Sequence, residues 1–117
     1  MSEKACMIAV DEGVVCLYPS EKLFKLLGKD YTLLIIGLLG NNNGIGFNEI
    51  KRSIGNPQSN LLSIRLKELE YAGLLTRYVV DPKPITVKYS LTDRGVELRK
   101  LMIPLFKWME VERETMK

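Results

Sequence analysis

The chain has 117 residues, 46% of them hydrophobic and 26% charged, with a formal charge of +3. That is the size and balance of one globular domain able to bury a core without staples. It contains no histidine, which removes the commonest general base, the Cys-His and Ser-His nucleophile pairs and most zinc sites, so neither an enzyme nor a metal or cofactor is expected.

The opening MSEKACMIAVDEG lacks the apolar run of a signal peptide, and the apolar stretch Tyr31 to Leu39 is too short to span a bilayer. A cytoplasmic protein with no membrane partner is expected. Cys6 and Cys16 cannot form a metal site alone, and in a reducing compartment a structural disulfide between them is not expected. The positive surplus lies in the middle of the chain. Residues 47–95 carry Lys51, Arg52, Arg65, Lys67, Arg77, Lys83, Lys88 and Arg94 against Glu49, Glu68, Glu70, Asp81 and Asp93. Such a surplus is compatible with a polyanion partner.

In chain order, residues 1–19 read as an N-terminal extension. Ser20 then caps a short helix, EKLFKLLG, that Gly28 ends. Asp30 caps YTLLIIGLLG, whose nearly all-apolar surface belongs at the centre of a small domain; a buried strand is the alternative, and length and flanking caps favour helix. In FNEIKRSIGN, Phe47, Ile50 and Ile54 recur at helical spacing up to Gly55-Asn56. Pro57 opens the next helix at a first-turn position, and that helix runs to Ala72. Two helices about a glycine turn make a helix-turn-helix.

At Gly73 the rhythm changes from helical leucines to β-branched and aromatic residues. Glycine supplies the left-handed conformation that lets the chain turn back as a strand. Leu74 to Val80 and Thr86 to Leu91 form a hairpin with the proline-bearing tip DPKPI. Thr92-Asp93 starts a last helix carrying Leu98, Leu101, Met102, Leu105, Trp108 and Met109 along one stripe, with a kink expected at Pro104. That stripe exceeds what one small domain covers and marks a dimer interface; packing on the Leu23–Leu27 helix of the same chain is the alternative. The expected fold is α+β and mainly helical. It is a winged helix-turn-helix with a two-stranded wing and an added C-terminal dimerisation helix (92–117), in a single domain spanning 1–117.

On a helical wheel at ~100° per residue, Leu62, Leu66 and Leu69 face the core. Asn60, Ser63, Ile64 and Lys67 face outward. In a major groove Asn60 can offer a bidentate contact to adenine and Ile64 can touch a thymine methyl; an ordinary solvated face with one stray aliphatic is the plainer alternative. Gln58 and Ser59 at the helix start suit either a phosphate or a simple cap. Lys51 and Arg52 before this helix, and Arg77, Lys83 and Lys88 on the hairpin, are placed to position DNA through its phosphates.

These segments resemble the HxlR-type winged-helix transcription regulators, relatives of the MarR group. The matching stretches are LGKDYTLLIIGLL, FNEIKRSIG, LLSIRLKELEYAGLLTR, VKYSLTDRGVEL and LFKWM, in order, from about Cys16 to Met109. The resemblance implies a homodimer on double-stranded DNA, its terminal helices making the dimer. Ser59, Asn60, Ser63 and Arg65 would fall on the reading helix and Lys83 on the wing. On the wheel Arg65 lies to one side, leaving either a phosphate contact or an ion pair with Glu49.

The sequence departs from the family at Asp30-Tyr31, where a single tryptophan is usual, so that a start of the following helix displaced by a residue is expected. It departs also at the short wing tip with Asp81, and at Cys16, which lies near an N-terminal cysteine that some members use as a redox or electrophile sensor. Cys16 is thus a redox-sensing candidate, with packing as a small hydrophobe as the default because VVCLYP supplies no cation. A winged helix used as a protein-interaction module, with Leu61 and Ile64 as a sticky patch, is the second reading. Operator, direction of regulation and effector are not written in the residues.

Overall fold

The computed structural model describes residues 5–18, 21–40, 44–82 and 84–115. Five helices carry the domain: α1 (Lys22–Leu27), α2 (Thr32–Leu39), α3 (Phe47–Ser53), α4 (Ser59–Tyr71) and α5 (Asp93–Glu112). Strands β1 (Ala5–Val10) and β2 (Gly13–Leu17) form one antiparallel pair; β3 (Ile45–Gly46), β4 (Leu75–Pro82) and β5 (Ile85–Leu91) form a second sheet in the order β3-β5-β4.

As its all-apolar sequence requires, α2 sits at the centre, with Ile35, Ile36 and Leu39 fully buried. Ile50 of α3, Leu62, Leu66 and Leu69 of α4, and Leu75 of β4 close around it. The predicted narrow sector of α4 is therefore the core face.

Helix α4 ends as the sequence requires. Gly73 takes φ 78°, its N–H donates to the Glu70 carbonyl, and the Leu74 N–H reaches back to the Leu69 carbonyl, both at 3.0 Å. These two bonds satisfy the orphan carbonyls of the last turn and aim the chain into β4. Thr92 caps α5 by accepting from the Gly95 N–H at 3.1 Å while its hydroxyl donates to the Gly73 carbonyl at 2.6 Å. The start of α5 is thereby tied to the end of α4. Gly95 is obligatory at this junction, since a Cβ there would lie 2.1 Å from the Leu74 carbonyl oxygen. Farther along, Arg99 Nε donates to the Gly37 carbonyl at 2.8 Å, clasping α5 to α2. Helix α5 runs unbroken through Pro104.

Several expectations are corrected. Tyr31, not Asp30, is the cap residue of α2, in a left-handed conformation (φ 72°), so the helix starts one residue beyond the position the Asp30 cap implied. Pro57 lies two residues before α4 rather than in its first turn, because Asn56 also takes a positive φ (56°) and Gln58 remains extended. The proposed Ser20 cap lies outside the described residues, and α1 is preceded by Glu21 without a side-chain cap. The wing gains a short third strand in β3, too brief to leave a sequence pattern.

The N-terminal extension carries a β-hairpin turning at Asp11-Glu12, with Val10 paired to Gly13. Cys16 is disulfide-bonded, against the expectation of a packed free thiol. The physical reason is the hairpin itself: it sets β1, which holds Cys6, antiparallel to β2, which holds Cys16.

Candidate nucleic-acid interface

Helices α3 and α4 meet through the turn at Ile54–Gln58 and present the outer surface of α4. Gln58, Ser59, Asn60 and Lys67 are exposed, Ser63 is half-buried, and Ile64 is 46% exposed. Neither Gln58 nor another side chain caps α4. Its first-turn N–H groups are therefore without a side-chain cap from Gln58.

A cleft of about 340 Å³ separates α4 from the hairpin, and Ser63, Lys67, Glu70, Arg77 and Tyr89 line it. The structure thus joins the outward stripe of α4 to Arg77 of β4. Cross-strand register explains the placement: Arg77 pairs with Tyr89, so the two share the face turned to α4. Lys88 pairs with Tyr78 and lies on the other face, half-buried beside Gly44. It is not part of the α4 cleft. Arg52 on α3 is exposed and Lys51 half-buried, while Lys83 falls outside the described residues.

Arg65 is corrected outright as a DNA contact. It is 7% exposed, and its Nε donates to the Asp30 carbonyl at 2.8 Å while Nη1 donates to Glu68 Oε1 at 2.6 Å. The anticipated partner Glu49 is not the one used. Glu68 also accepts from Lys29 at 2.5 Å, and that hydrogen bond does most to hold its carboxyl below the usual range; burial opposes the shift and Arg65 adds to it. The group is a strut that fixes α4 against the α1–α2 junction.

The stripe of α5 divides. Met102 is buried in the core of its own chain and Leu98 packs against that core, which removes Met102 from the expected dimer face. Leu101 (73% exposed), Leu105, Trp108 (61%), Met109 and Val111 remain uncovered. With 3.6 residues per turn, a twenty-residue helix carries two apolar faces, and a single stripe drawn from the sequence merges them.

An outward polar stripe beside a basic hairpin, on helices packed in this order, is the surface of a winged helix-turn-helix. The family model for the HxlR-like helix-turn-helix matches residues 26–117. The chain belongs to that family. YvaP, an HTH-type transcriptional regulator of Bacillus subtilis, is 38% identical over 88 residues, covering 75% of this chain and 81% of its own. The structure of a possible HxlR family transcriptional factor from Thermoplasma volcanium superposes with a TM-score of 0.84 at 33% identity, covering 97% of this chain and 99% of that one. Diamide-treated YodB from B. subtilis gives 0.64 at 34% identity over 75% and 86% of the two chains. This HxlR-family chain is a transcriptional regulator and not an enzyme. Among its described residues no helix is long and apolar enough to cross a membrane.

Sequence reasoning missed a second basic group. Lys22, Lys25 and Lys29 lie beside Lys67 and Arg94 along a groove between α1 and α4. The three- and four-residue spacing of Lys22, Lys25 and Lys29 along and just beyond α1 was the available signal.

Proposed function

We propose that this HxlR-family regulator is a cytoplasmic, sequence-specific DNA-binding protein acting as a homodimer on a pseudo-palindromic operator, each copy a single domain. The observation that carries the proposal is the uncovered stripe Asn60, Ser63, Ile64 on α4, beside the uncapped helix start and the Arg77 cleft. Base edges would be met by that stripe. Phosphates would be met by the first-turn N–H groups with Gln58 and Ser59, and by Lys51, Arg52, Lys67, Arg77, Lys83 and Lys88. The uncovered α5 residues Leu101, Leu105, Trp108 and Met109 would bury one another across a two-fold axis.

Titration against operator and scrambled duplexes at several salt concentrations separates reading from positioning. Asn60→Ala and Ser63→Ala should each cost ~1–3 kcal/mol on the operator and leave scrambled DNA nearly unaffected. Arg77→Ala should weaken both alike and lower the salt slope by about one unit. Wild-type operator binding by both α4 variants would remove α4 from the groove; binding indifferent to salt would favour the protein-interaction reading, with Leu61 and Ile64 as its patch.

Cys16 is proposed as a redox-responsive site, supported by its disulfide at an exposed position of β2 and by the diamide treatment of a relative. Operator affinity of the wild type should shift when dithiothreitol reduces the bond, and Cys16→Ser should not respond. Superimposable wild-type titrations with and without reductant would make the disulfide a structural staple only.

A further inference from the structure

A groove of about 690 Å³ runs between α1 and the C-terminal half of α4, and Lys67 lines both it and the wing cleft. Its apolar lining is Leu23, Leu26, Tyr71 and Ala72, and Tyr71 is 91% exposed, leaving an aromatic face with nothing against it. Around this lining stand Lys22 and Lys25 from α1, Lys29 from the α1–α2 connection, Lys67 from α4 and Arg94 from α5, with Glu68 as the one carboxylate.

Glu68 is taken up by Lys29 and Arg65, and Arg94 donates to the Ala72 carbonyl at 2.9 Å. Among the described residues Lys22, Lys25 and Lys67 make no salt bridge. The rim therefore carries a positive excess over an apolar lining, inside the roughly 300–1,000 Å³ range of small-molecule sites.

We propose that this groove binds a small amphipathic carboxylate, its hydrocarbon or aromatic body on Leu23, Leu26 and Tyr71 and its anionic end among Lys22, Lys25 and Lys29. Three observations select this occupant. The rim already seats one carboxylate, that of Glu68 on Lys29. A second copy is disfavoured, because a two-fold contact across the groove would set the same lysines against each other. A DNA backbone would use the cations and leave the apolar lining without a purpose. Because the groove holds the Lys29–Glu68–Arg65 strut, a bound carboxylate competes with Glu68 for Lys29 and so bears on how α4 is held.

The test is calorimetric titration of the full chain, without DNA, with 2-naphthoate and with its uncharged counterpart 2-naphthamide. One naphthoate per chain is expected, bound at least about tenfold more tightly than the amide. Lys25→Gln should weaken naphthoate about fivefold without changing the amide, and Tyr71→Ala should weaken both by stacking lost from an aromatic pair. Both positions are exposed, so the fold should survive either change.

Equal affinity for acid and amide overturns the proposal, as does wild-type naphthoate binding by both variants. Dissociation of a dimer by Lys25→Gln would make the face an interface between copies. Weakened binding to random DNA by Lys25→Gln, with no naphthoate bound by the wild type, would make it a phosphate surface. Since DNA is absent from the titration, failure here leaves the reading-helix proposal standing.

Discussion

Replacing Arg65 with alanine is expected to lower the stability of the fold by about 3 kcal/mol, the lower end for breaking a buried ion pair, because Glu68 keeps Lys29 and some water. For a chain of this size that is a fall of roughly 10 °C in the unfolding midpoint. The loss has three parts: the Asp30 carbonyl and Glu68 each lose a donor, and a buried side chain becomes a void.

The same strut gives the protein an acid limit. Glu68 has a lower pKa folded than unfolded, so its contribution is fully present above the unfolded value of about 4.5 and is lost as pH falls through the folded value. Glu68→Gln should accordingly flatten the fall in stability between pH 6 and pH 3. Urea unfolding of wild type, Arg65→Ala and Glu68→Gln at both pH values measures these effects. An Arg65→Ala variant that unfolds with the wild type but shows a shallower salt dependence on random DNA would return Arg65 to the phosphate contacts.

The second large effect concerns assembly. Leu105→Glu places a charge in the middle of the uncovered α5 face, and burying it unpaired against a partner would cost more than the contact returns. Sedimentation at micromolar concentration should show the wild type at twice the 13.3 kDa chain mass and the variant at the chain mass. Operator affinity should drop by roughly 10²–10⁴-fold, as two linked half-sites become one, with a far smaller effect on random DNA. A wild type that sediments as a monomer under these conditions would end the dimer proposal.

Elements whose signals are local were legible in the residues. The Gly73 stop, the Thr92 cap and the Leu62-Leu66-Leu69 core face depend on neighbours a few positions away, and each lies where the spacing placed it. What escaped depends on partners distant in the chain. Arg65 is directed inward by Asp30, 35 positions earlier, and its acidic partner is Glu68 on its own helix rather than Glu49. The β1–β2 hairpin was legible in principle, since IAV and GVV flank Asp11-Glu12, but the cysteine expectation came from compartment and not from strand pairing. The two faces of α5 separate only once α2 and Phe106 settle which one is covered.

The bonds from Thr92 to Gly73, from Arg94 to Ala72 and from Arg99 to Gly37 have a mechanical meaning. They tie the end of α4 and the root of β4 to the start of α5, and α5 to α2, so that these parts would turn together as one lever. In a dimer assembled on α5, the span and tilt between the two levers are set by the α5 contact alone. One base pair inserted between half-sites adds about 3.4 Å and roughly 35° of rotation. With α4 and α5 so tied, both would have to be absorbed by twisting and bending the duplex, and spacer length would become a property the protein measures without touching it.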